Sequence, residues 1–89
     1  MMVLLGKGTK VTGSGTLTVE GRRVAGYICT DGTNSASVQV HDASAGGDLI
    51  FHWDSAIPAS FWPTLCNSGT VYYSITGTGA YLQLFEVAV

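Results

Sequence analysis

Short runs of alternating apolar and polar residues recur along the chain, separated by turns rich in glycine, serine and aspartate. Thr16-Leu17-Thr18-Val19 alternates, Glu20-Gly21 has turn composition, and Arg23 to Cys29 resumes as a second strand. Asp31-Gly32 is a strong turn signal. Ser37-Val38-Gln39-Val40-His41 has period two, with Val38 and Val40 on one face and Gln39 and His41 on the other. Ala43 to Gly47 reads as a flexible loop. Leu49-Ile50-Phe51-His52-Trp53 alternates again, with Leu49, Phe51 and Trp53 inward and His52 outward. Val71 to Ile75 and Ala80 to Phe85 flank Gly77-Thr78-Gly79, which predicts a hairpin. No segment keeps helical spacing over three turns. Strand centres about 10 to 12 residues apart predict one all-β domain over 1–89, an antiparallel β-sandwich or jelly roll of about seven to eight strands.

Two segments depart from the alternation. Residues 1–15 are loosened by Gly6, Gly8, Gly13 and Gly15 and read as an extended N-terminal arm. Ile57 to Leu65 sets Pro58 and Pro63 around Phe61-Trp62; proline removes ladder donors, so this stretch is a crossing loop or an edge strand.

Composition narrows the function. Charged residues are 11% of the chain against the usual ~25%, which is sparse for a lone soluble or catalytic domain. Lys7, Lys10, Arg22 and Arg23 all precede residue 24, and from there on the chain holds five acids and no lysine or arginine. A nucleic-acid binder needs a basic stripe with aromatics among it, so no nucleic-acid partner is expected. The split instead suits contact between a basic arm and an acidic patch, on its own body or on a neighbour. No apolar run reaches the ~20 residues of a membrane helix, and no secretory signal precedes the body.

Candidate chemistry is thin. His41-Asp42 and His52-x-Asp54 lack the converging spacing of a metal site, and read as polar side chains beside turn aspartates. Cys29 and Cys66 read as buried free thiols, and Cys29 has no base beside it to make it a nucleophile. Gly6-x-Gly8 and Gly77-x-Gly79 precede no helix and are turn glycines, not phosphate loops. No cofactor and no enzymatic activity are expected. Trp53, Trp62, Tyr72, Tyr73, Tyr81 and Phe85 offer sugar-stacking platforms, but aromatics with few charges fit a subunit interface better. Tyr81 to Phe85 is apolar on both faces, as a strand covered on both sides requires.

Asp31 to Gly47, with its Asp-Gly-Thr-Asn turn, alternating Ser37 to His41 and closing Gly46-Gly47, resembles a segment of small tailed-phage structural proteins. Gly69 to Ala80 is similar to their closing hairpin. The likeness spans about residues 12–87 and departs from the pattern at the aromatic Phe61-Trp62-Pro63 segment. It implies a short all-β virion component made in the host cytoplasm, foremost a capsid decoration (cement) protein that bridges major capsid subunits. A neck or tail piece, or a glycan- or receptor-binding module on the virion surface, is the alternative. The expected partners are further copies of the chain, with a trimer favoured, and the major capsid protein or another virion protein. The expected interface residues are Lys7, Lys10, Phe61, Trp62, Tyr81 and Phe85.

Overall fold

The structure, a computed structural model, describes residues 4–19, 23–66 and 68–88; the Glu20-Gly21 turn lies outside them. The described residues form eight strands: β1 (Leu4–Val11), β2 (Ser14–Thr18), β3 (Arg23–Cys29), β4 (Ala36–Asp42), β5 (Leu49–Ser55), β6 (Ala59–Leu65), β7 (Thr70–Thr76) and β8 (Tyr81–Ala88). They build two antiparallel four-stranded sheets, ordered β1-β8-β3-β6 and β2-β7-β4-β5. This strand order is that of a jelly roll, within the expected sandwich class.

Period-two side chains close the core between the sheets. Val24, Ile28, Leu82 and Leu84 from one sheet meet Val38, Val40, Val71 and Ile75 from the other. No polar or charged residue is buried among the described ones, so apolar burial alone fills the centre. Gln39 and His41 take the opposite face of β4 from Val38 and Val40, as the alternation predicts.

Three readings change. The first concerns the arm expected over residues 1–15, whose described part, residues 4–15, is extended but paired. Leu4–Val11 pairs with β8 and Ser14–Thr18 with β7, and Gly13, at φ 67°, turns the chain from one sheet to the other. Gly8 has a packing reason to be glycine, because a Cβ there would lie 2.7 Å from the Phe85 ring. The segment is therefore the edge of both sheets. Second, Gly77-Thr78-Gly79 does not close a hairpin, since β7 and β8 belong to different sheets and the turn crosses the sandwich. Among the described strands, only β4 and β5 are neighbours both in sequence and in pairing. Third, a bulge between Val40 and His41 puts Leu49 on the outward face with His41, while Phe51 and Trp53 stay packed on the core.

The proline segment is an edge strand. β6 ends its sheet, and Pro63 falls where the β3 register shifts, two features that tolerate a missing donor. The Asp31 turn is held by its own carboxylate. Oδ1 accepts the Thr33 and Asn34 amides at 2.8 Å each, and Oδ2 accepts Asn34 Nδ2 at 2.7 Å.

Candidate interaction surface

The outward side of the β1-β8-β3-β6 sheet is set by the register that sends Leu82 and Leu84 inward. Tyr81, Gln83 and Phe85 on β8 then point outward beside Cys29, Tyr27 and Ala25 on β3, with Lys10 and Gly8 on β1. Tyr27 and Phe85 sit with ring centroids 5.9 Å apart, tilted by 32°. Lys10 Nζ lies 4.4 Å from the Tyr81 ring centre, a cation–π contact. Hydrogen bonding to the Cys29 thiol is the main cause pushing the Tyr81 phenol above its ordinary value. Arg23 extends the same outward row and is exposed. The result is an aromatic patch with cations towards its two ends.

Three of the six expected interface residues, Lys10, Tyr81 and Phe85, thus share one face. Phe61 does not join them. Its register with Gly26 turns it into the core, where it stacks on Phe51 at 4.6 Å and is only 9% exposed. The aromatic composition of the segment suggests an interface, whereas the pairing with β3, which composition does not show, turns Phe61 inward. The side chains of Lys7 and Trp62 lie outside the described ones. Tyr27 was missed, although the alternation that makes Ile28 inward also makes it outward.

The outward side of the other sheet is polar. Ser37, Gln39 and His41 from β4 lie beside Tyr72, Ser74 and Thr76 from β7, with His52 and Asp54 on β5. His41 Nδ1 donates to the Gly47 carbonyl at 3.0 Å, so the ring anchors the loop before β5. His52 Nε2 lies 2.8 Å from Asp54 Oδ2. The Ser37 hydroxyl first, and His52 second among the favourable contacts, hold the Asp54 carboxyl below its ordinary value. Serine, carboxylate and imidazole meet here in the wrong order for hydrolysis. The carboxylate stands between the hydroxyl and the ring, whereas a triad needs the ring to take the hydroxyl proton.

Cys66 is built into a corner. Its buried Sγ donates to Asp42 Oδ1 at 3.2 Å and to the Thr70 carbonyl at 3.0 Å, and Ser68 bonds the same carboxylate through its hydroxyl and amide. Burial, then the bond to Asp42, pushes the thiol up, which opposes thiolate chemistry. Cys29 stands at the far end of β3, roughly 20 Å away at a strand rise of about 3.3 Å per residue, beyond the reach of a disulfide. Among the described residues, no three His, Cys, Asp or Glu side chains converge as metal ligands do. No family model, curated protein or solved structure matches this chain.

Proposed function

We propose that this protein is a non-enzymatic structural subunit of a phage particle, a capsid decoration protein that forms homo-oligomers and bridges major capsid subunits. The observation that supports this reading most is the chemical contrast between the two outward faces. An aromatic patch with few charges, carrying Tyr27, Tyr81 and Phe85, is the composition found at the centre of protein interfaces. Burying such a patch across a joint between capsid subunits adds free energy against expansion, and about 1,000 Å² is the scale for specific attachment. Lys10 supplies a cation at the rim, where it steers encounter with an acidic surface.

The reading is tested on particles purified from cells that carry the coding sequence. Quantitative mass spectrometry should find the chain in near-stoichiometric ratio to the major capsid protein, and cryo-electron microscopy should place it on the outer shell. A few copies per particle would assign it to the neck or tail. Absence from purified particles would sink the proposal, and binding of the isolated chain in a glycan array would favour the glycan reading.

A further inference from the structure

The charges divide between the sheets. Lys7, Lys10 and Arg23 lie on strands of the β1-β8-β3-β6 sheet, while β2, β7, β4 and β5 hold Asp42 and Asp54 and no lysine or arginine. Glu86, the acid on the first sheet, shares a register position with the inward Val24 and so belongs to the opposite side from the aromatic patch.

The apolar exposure divides in a complementary way. The two most exposed large apolar residues among the described ones, Leu49 (56%) at the start of β5 and Ile57 (68%) just past its end, lie beside the acids Asp48 and Asp54. β5 is an edge strand of seven residues without lysine or proline, bent by its bulge beside Leu49 and carrying Asp54. The β5 edge therefore offers apolar anchors among acids, and the outer face of the first sheet offers aromatic anchors between cations.

The spacings are compatible. Two strand separations across and four residues along place Lys10 and Arg23 roughly 16 Å apart at the backbone, and Asp48 and Asp54 are roughly 20 Å apart. Flexible cationic side chains cover that difference. A twofold contact of the aromatic face with its own copy would instead bring cation against cation, without an acid among the described outward side chains to offset it.

We propose that the β5 edge of one copy docks on the aromatic, basic outer face of a second copy, a head-to-tail contact that rests on reading the chain as a self-assembling subunit. Two different patches make the contact heterologous, and such contacts either close into a ring or run on as a fibre. A three-membered ring is the closed form in line with the trimer that the resemblance to phage structural proteins implies.

The test is sedimentation and light scattering of the full chain, with circular dichroism to verify folding of each variant. The wild type should sediment as a trimer whose dissociation midpoint moves to higher protein concentration with added salt. Arg23→Glu and Asp48→Arg should each raise that midpoint at least tenfold. The double variant Arg23→Glu/Asp48→Arg, with both signs exchanged, should recover association. A wild type that stays monomeric, a dimer strengthened by Arg23→Glu, or a double variant weaker than either single one would overturn the contact. The two proposals fail separately: a chain found on particles but monomeric in solution loses the contact, while a self-assembling chain absent from particles loses the virion reading.

Discussion

On the outward side of β4 and β7, Ser37, Gln39, His41, Ser74 and Thr76 surround Tyr72 with hydroxyls, an amide and an imidazole. On the outward side of β3 and β8, Tyr27, Cys29, Tyr81 and Phe85 occupy the equivalent positions. Both faces come from the same alternation over the same core, so folding does not demand the difference. A sandwich needs one apolar face per sheet, and the outward face of the β2-β7-β4-β5 sheet adds little to it beyond Tyr72 and, at its edge, Leu49. The second apolar face of the other sheet is surplus to the fold, which is why the proposed contacts are placed on it.

The largest effect that sharpens this comparison lies within one strand. Leu82 is fully buried, and its neighbour Gln83 faces out in the middle of the aromatic patch. Leu82→Ala should cost about 2–5 kcal/mol of unfolding free energy through lost burial and the cavity left behind, whereas Gln83→Ala should stay within about 0.5 kcal/mol. Urea unfolding of the two variants measures both. A comparable loss for Gln83→Ala would mean that the outward face supports the fold itself, and the surplus argument would fall.

A second pair of substitutions compares the two sides of the same sheet. A Cβ on Gly26 would meet the Phe61 ring at 2.8 Å and the Gln83 carbonyl oxygen at 2.9 Å, and backbone cannot move aside. On Gly8 the obstacles are the Phe85 ring and the end of the Gln83 side chain, which face outward and can swing. Gly26→Ala should cost about 1–3 kcal/mol, as overpacking does. Gly8→Ala should cost less in stability, but tilting Phe85 should weaken self-association. Equal stability losses would show the outer face to be packed as rigidly as the core.

Much of this was legible in the chain, and the parts that were not have a common cause. Alternation separates Val38 and Val40 from Gln39 and His41, and Leu82 and Leu84 from Tyr81 and Phe85, because period two acts within a strand. Pro58 and Pro63 narrow their segment to a crossing loop or an edge strand because a missing donor is a local property, and the pairing of β6 with β3 decides for the strand. Partner choice is not local. The turn at Gly77 to Gly79 reverses the chain in either a hairpin or a crossing, and only the long-range pairing of β8 with β1 and β3 decides between them. Gly8 reads as looseness until Phe85 is known to lie against it. Leu49 falls on the wrong side because a bulge on β5 shifts the alternation, and Phe61 because its segment shows no alternation and the pairing with β3 alone turns it inward. At the candidate surface, the residue types were readable, but which of them share a face depended on these registers.

The two thiols extend the comparison to chemistry. Cys29 is half-buried on the aromatic face, while Cys66 is buried and hydrogen-bonded in its corner. A thiol reagent should modify Cys29 in the native protein within minutes and Cys66 only on unfolding, with two thiols found in denaturant. The folded Cys66 thiol is raised above its unfolded value, so its stabilising contribution is complete below the usual thiol range near pH 8.5 and declines as pH rises above it. Melting temperature should therefore fall more steeply from pH 8 to 10 in wild type than in Cys66→Val. Parallel curves would remove the thiol from the alkaline limb.

The smallest effect concerns the exposed Asp31 turn at the end of β3, where the aromatic face meets the loop into β4. The amide of Asn34, then that of Thr33, then the Asn34 side chain hold the Asp31 carboxyl below its ordinary value. A depressed carboxyl stabilises the fold above its unfolded value, and that contribution is lost as pH falls through the folded value. Stability should thus decline below about pH 4, the unperturbed aspartate range. Asp31→Asn keeps an oxygen for the turn amides but removes the titrating charge. It should lower the melting temperature slightly at pH 7 and flatten the acid limb, narrowing its gap to wild type as pH approaches 3. The turn lies outside both proposed docking patches, so the sedimentation midpoint should not move. A variant that shifts that midpoint would extend the docking surface around the end of the sandwich, and one whose gap to wild type stays constant with pH would show that the turn is held by its shape rather than by its charge.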